Sequence, residues 1–298
     1  ISEDSPFTVR FESSGFRVEK NPNLLPYAPP AVRKWLQTFS SPVATVDTKM
    51  TISRGPAHGP TGAATPGEIA VTGELELKDG VASYSKFPYA FENLSGRFEF
   101  DNDTIKIVRI TGRSASGADL VADGLISPLD ETSEVTVNVD VKGVPIDDAL
   151  QAAFGPGRGQ VIRSLFNQER YQKLVDAELI QAPEIALAAS RELEEQKKAL
   201  AGADPARAAE IEARIAGLQR RLRIPEFEFG GRADVKVLVH APRGRNVDYQ
   251  TGIDIRIQKA GLIPEKFPMP VLARDVTVRV DNDFGRLTGG SFSSIAGG

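Results

Sequence analysis

The chain has 298 residues, 41% hydrophobic and 26% charged, a composition that is globular and not disordered. Its formal net charge of −4 argues against a phosphate-binding surface and so against a nucleic-acid partner. Cysteine is absent, which excludes disulfides, a thiolate nucleophile and cysteine-ligated zinc while leaving the compartment open.

An internal repeat organises the chain. KFPYAFENLSGRFEFDND at 86–103 and KFPMPVLARDVTVRVDND at 266–283 share Lys-Phe-Pro and Asp-Asn-Asp at a constant offset of 180 residues. With a one-residue slip the match extends upstream to Gly80 over Gly261, and after a shortening of three residues it extends downstream to Thr111-Gly112 over Thr288-Gly289. FTVRFESSGFRV (7–18) likewise resembles VTVNVDVKGVPI (135–146), and VDTKMTI (46–52) resembles ADVKVLV (233–239). Two copies of one β-module follow, 1–134 and 135–298. With its ISEDSPF opening and SIAGG end, the chain reads as an excised piece of a longer array whose second copy is truncated.

In chain order, the first strand-like stretch is 7–18. PPAVRKWLQTF (29–39) predicts a short helix with Val32, Trp35, Leu36 and Phe39 on one stripe and Pro30 at its start. RGPAHGPTGAATPG (54–67) predicts a mobile loop. IAVTGELELKDG alternates through Val71, Leu75 and Leu77, and Asp79-Gly80 predicts a tight hairpin turn. GRFEF presents Phe98 and Phe100, and TIKIV presents Ile105 and Ile107. Between them, Asp101-Asn102-Asp103 reads as a turn and not as a calcium loop. An EF-hand counted from Asp101 needs glycine and glutamate where Lys106 and Gly112 stand.

EVTVNVDVKG places Val135, Val137, Val139 and Val141 on one face. A helical insertion then occupies 146–224. PIDDALQAAFG and GQVIRSLFNQERYQKLVDAELI read as amphipathic helices, and 183–222 as a helical hairpin. Asp204 caps its second helix, and Ile211, Ile215, Leu218 and Leu222 form its seam. Strands resume with Val235, Val237 and Val239, then Ile253, Ile255 and Ile257, then Val278 and Val280.

The fold class expected is therefore mainly β with a helical insertion, an antiparallel sheet with one oily and one wet face. Each oily residue left in water costs roughly 1.5–3 kcal/mol, which over about a dozen strands exceeds the 5–15 kcal/mol stability of a folded chain. The oily face must be covered by a second sheet, by the helices, or by something the chain does not encode. No window of about eighteen apolar residues occurs, so the segment does not itself cross a membrane.

The Asp79-Gly80 turn, Phe87-Pro88, the NLSG at Asn93 to Gly96, and the TGRSASGADLVADG ending at Gly124, followed by a fresh strand, resemble the AsmA-like proteins of Gram-negative envelopes. The resemblance covers 68–143 well and 229–298 moderately. It implies an elongated, curved sheet open along one side, in which the nineteen alternating residues from Val71 to Val280 named above line a groove for phospholipid acyl chains. It also implies a place in the periplasm, an inner-membrane anchor outside this segment, and further repeats as neighbours. The helical hairpin departs from that pattern and is a candidate arm for a protein partner. The competing expectation is a structural or adhesive β-repeat whose sheets cover themselves, leaving the same residues as ordinary core.

Catalysis finds no support. His58 sits in the Gly/Pro loop, His240 ends a strand, and neither has a carboxylate at metal-ligand spacing. GPGRG (155–159) lacks the Lys-Ser/Thr of a phosphate loop, and GRSASG (112–117) misses the nucleophile-elbow pattern. No enzyme activity, cofactor or metal is expected.

Overall fold

The structure, a computed structural model, describes residues 5–19, 30, 33, 37–55, 67–85, 87–154, 162–245, 247–267, 269–280 and 285–295. The predicted helix at 29–39, the loop with His58, the 155–159 turn and the second Asp-Asn-Asp fall wholly or largely outside them.

Eleven strands lie in one antiparallel sheet in strict chain order, not closed into a barrel. They are β1 (Phe7–Glu19), β2 (Phe39–Arg54), β3 (Ile69–Tyr84), β4 (Phe87–Phe100), β5 (Ile105–Arg113), β6 (Asp119–Ser127), β7 (Glu134–Pro145), β8 (Gly230–Ala241), β9 (Gln250–Leu262), β10 (Val271–Val280) and β11 (Gly285–Ser294). Between β7 and β8 the described residues include the helices α1 (Asp148–Ala153), α2 (Gln168–Asp176), α3 (Pro183–Leu200) and α4 (Pro205–Arg221). The chain divides into two compact units. Unit 1 comprises 1–155, 233–256 and 278–288, and unit 2 comprises 156–232, 257–277 and 289–298.

Several strands are longer than simple alternation predicts, because a single extra residue interrupts them without ending them. Gly15, Asp79, Asn93, Gly143 and Asp275 each take a left-handed conformation, with φ of 71°, 50°, 51°, 67° and 52°. The ladders slip at Ser13/Phe16, Leu77/Gly80 and Glu92/Ser95, beside the first three of these. A β-bulge of this kind inserts one residue, bends the strand and flips the parity of the side chains after it. Thus Val71, Gly73, Leu75 and Leu77 are followed on the same face by Gly80, Ala82 and Tyr84, as the pairing of β3 with β4 requires. This corrects the hairpin expected at Asp79-Gly80: β3 runs through it to Tyr84.

The Asp101-Asn102-Asp103 turn is built by side chains. Asp101 Oδ1 accepts from the Asp103 and Thr104 amides at 2.9 and 2.8 Å. Asn102 reaches back to β3, accepting from Val71 N–H and donating to the Ile69 carbonyl, both at 2.6 Å. Its amide thereby continues the ladder past the last residue of β4.

Unit 2 holds the helical insertion from residue 156 onward, and α1 lies in unit 1. The helix expected to run through Phe166 breaks there, and Asn167 caps α2 by accepting from Arg170 N–H. α3 and α4 pack as the expected hairpin on Ala189, Leu193 and Leu218, flanked by Ile215 and Leu222, with Asp204 as the N-cap of α4. Gln181 closes its base: its side-chain amide donates to the Arg221 and Ile224 carbonyls at 3.0 and 2.8 Å. Its main chain bonds Pro225 and Phe227.

A graded apolar face as the candidate functional surface

The register of unit 1 fixes which residues share a face. Directly paired residues project to the same side of a sheet. The rows Ile52–Val71, Leu75–Phe98–Ile107–Gly124–Val137 and Phe100–Ile105–Ile126–Val135 therefore lie on one face, and Leu77–Gly96 and Leu120–Val141 join them. Val139 enters opposite Ala122. Eleven of the sequence-predicted residues, from Val71 to Val141, are thus brought together.

β8 continues this face. Thr136 Oγ1 meets His240 Nδ1 at 3.2 Å, and Lys142 pairs with Asp234 at 3.5 Å. These polar contacts are six residues apart on each strand, as one antiparallel register requires, and they put Val235, Val237 and Val239 on the opposite, apolar side. The Arg279–Asp254 pair at 3.8 Å likewise assigns Ile253, Ile255 and Val278 to the side away from those charges. Ile257 belongs to unit 2, and the side chain of Val280 lies outside the described residues.

Burial across the face is graded. Ile107, Ile126, Val135, Val141, Val235 and Ala241 are buried, with Ile126, Val135 and Ala241 forming a cluster. Val71, Leu75, Leu77, Phe98, Phe100 and Ile105 are half-buried, as are Val137, Val139, Val237, Val239, Ile253, Ile255, Ile257 and Val278. On β1 the same face is open: Val9 is 53% exposed and Phe11 51%. These β1 residues were not among the predicted lining, although the alternation in FTVRF signals them.

α1 packs on β4 and buries Leu150 and Ala153, with Phe154 edge-on to Phe87 at 5.1 Å. Phe87, Tyr89 and Phe91 form an aromatic row along β4. Burial pushes the Tyr84 phenol up, and Thr251 of β9 stands close enough to oppose that shift without good hydrogen-bonding geometry. Burial also raises the Tyr249 phenol, with Tyr84 adding to the effect. β3 and β9, six strands apart in order, therefore approach each other within unit 1.

The opposite face is a charge ladder. Lys49, Glu74, Arg97, Glu99 and Lys106 alternate in sign across β2 to β5 at separations of 2.9–4.0 Å. All five are solvated, so the ladder specifies which face is wet more than it adds stability.

Unit 2 buries one apolar cluster under α2, while Leu179 and Leu187 stay exposed. Ile180, Phe227 and Ile263 are almost fully buried, packed against Tyr171, Leu174 and Val175 of α2, with Tyr171 stacked on Phe229 at 4.6 Å. Arg170 ties α2 to the carbonyls of Pro264, at 2.8 Å, and Glu265.

GRSASG forms the β5–β6 connection. Tyr89 Oη, Ser116 Oγ and Ser114 Oγ are linked at 2.5 and 2.9 Å, and Ser114 Oγ accepts from Ala118 N–H. These hydroxyls satisfy one another and the loop backbone. Among the described residues no group of three or more His, Cys, Asp or Glu converges, and no helix is long and apolar enough to cross a membrane.

No protein-family model matches this chain, and no curated protein or solved structure matches it either.

Proposed function

We propose that this chain is a segment of an envelope lipid-transport bridge, holding phospholipid acyl chains on the apolar face of unit 1. The observation that carries the reading is one register-connected apolar face on which Ile107, Val135, Val141 and Val235 are buried, most residues around them are half-buried, and Val9 and Phe11 of β1 are open. A sequence-tolerant apolar surface suits acyl chains, which offer area and no hydrogen bonds. Resemblance to the AsmA-like proteins supports the same reading and with it a periplasmic setting. No catalytic step is proposed.

The test is mass spectrometry of molecules extracted from the purified chain, beside an Ile52→Asp, Val71→Asp double variant. Both positions are half-buried on the open side. Phospholipid in the wild type and its loss from a folded variant is the expected result. A stable wild-type chain free of lipid would sink the proposal.

The second reading, a structural β-repeat whose helical hairpin at 183–222 docks a protein, is favoured by unit 2, where α2 covers the cluster of Ile180, Phe227 and Ile263. It predicts that neither unit retains lipid.

A further inference from the structure

Tyr84 ends β3 with its phenol oxygen enclosed. The residue as a whole is half-buried, yet its Oη is shut off from solvent and, among the described residues, has no hydrogen-bond partner. A hydroxyl in that position has lost its hydration and gained nothing in return, a state most buried polar groups avoid. The Phe39 ring packs beside it, with centroids 6.2 Å apart.

The surroundings define what can satisfy that hydroxyl. Tyr84 lies on the apolar face of β3, in the row of Gly80 and Ala82. Tyr249 packs against the Ile126, Val135 and Ala241 cluster of that face and lies near enough to Tyr84 for the two phenols to affect each other, while Thr251 approaches Tyr84 directly. All three residues belong to unit 1, and β3 and β9 are not neighbours in the sheet. Side chains alone close this contact, so a ligand can part it without breaking a ladder. Burial raises both phenols, so both keep their protons and remain donors, and among the described residues no cation contributes to the shift of either. A phosphate there would hold an uncompensated charge in an apolar setting, whereas a neutral carbonyl oxygen needs only a donor.

We infer that Tyr84 Oη, beside Thr251 and Tyr249, is a hydrogen-bond donor site for the ester carbonyl of an acyl lipid. The apolar face takes the chain, which offers area and no hydrogen bonds, and the phenol holds the one polar group that must enter with it. The anchor sets how far along the face the lipid sits. The inference rests on the acyl-chain reading above and adds a polar contact to it.

Dihexanoyl phosphatidylcholine and its diether analogue, which lacks both carbonyls, test it below their critical micelle concentrations, by calorimetric titration of the full chain and of Tyr84→Phe. The wild type should bind the ester at least about fivefold more tightly than the ether, and Tyr84→Phe should bind both as the wild type binds the ether. Urea unfolding without lipid gives a second readout. Tyr84→Phe keeps the ring and deletes an unpaired hydroxyl, so its midpoint should equal or exceed that of the wild type. A midpoint clearly below the wild type overturns the inference, since the hydroxyl would then have a partner within the fold. Equal affinity for ester and ether, or a loss on Tyr84→Phe shared by both lipids, also overturns it, and in those cases acyl-chain binding stands while the anchor falls. A wild-type chain that binds neither lipid removes the inference together with the reading it rests on.

Discussion

Asp47 shows how one side chain serves two elements. It accepts from Gly15 N–H, which holds the left-handed turn of β1, and from Lys78 Nζ at 2.8 Å, which ties β2 to β3. The Lys78 hydrogen bond, then the Gly15 amide, hold its carboxyl below the usual aspartate range. A carboxylate whose folded pKa is depressed contributes stability that is complete above its unfolded value, near pH 3.9, and is lost as pH falls through the lower folded value. Asp47→Asn keeps an acceptor for Gly15 and discards the charge. The variant should therefore be less stable than wild type at pH 6, with the difference shrinking below about pH 4. Urea midpoints at a series of pH values read this directly, and a gap independent of pH would show that the ion pair contributes nothing. High salt should also narrow the gap at pH 6, because the pair is solvent-exposed.

At the scale of elements, the alternation of Val135 to Val141 or Phe98 to Phe100 was legible because each run has period two and no interruption. The full length of β3 and β4 was not. An extra residue at Asp79 and at Asn93 flips the parity, so a reading that relies on strict alternation ends the strand where the bulge lies. Asp-Gly is also a genuine turn signal, and the left-handed φ that makes it so in a hairpin is used here inside a strand. Burial was hidden for a different reason. It depends on which strand lies alongside, so Phe7 and Val135 look alike in sequence and differ in exposure. The bulges themselves are testable. Gly15 has open space where a Cβ would be, so Gly15→Ala adds no clash and tests the left-handed backbone alone. The cost should be about 1–2 kcal/mol, and Gly15→Asn should cost less because asparagine tolerates this region. Thermal unfolding of the two variants decides it: equal midpoints would mean that the bulge relaxes freely.

For the whole molecule, the contrast between the units is the informative feature. Unit 2 packs Ile180, Phe227 and Ile263 under α2, while unit 1 leaves a continuous sheet face that opens on β1. A ligand that binds the folded chain alone stabilises it by mass action, about 2.7 kcal/mol at a free concentration one hundred times its Kd. Short-chain phospholipid added below its critical micelle concentration should therefore raise the unfolding midpoint. The protection should be local. Amide exchange followed by mass spectrometry should slow in peptides from 39–54 and 69–100, which hold the half-buried residues of β2, β3 and β4. Peptides from 183–222 should exchange at an unchanged rate, since the hairpin seam is already filled by Leu193, Leu218 and their neighbours. Uniform protection of both regions would indicate general stabilisation and not a groove. No protection, with an unmoved midpoint, would leave the face of unit 1 as a surface awaiting protein, because apolar side chains at half exposure on a continuous sheet are otherwise an association hazard.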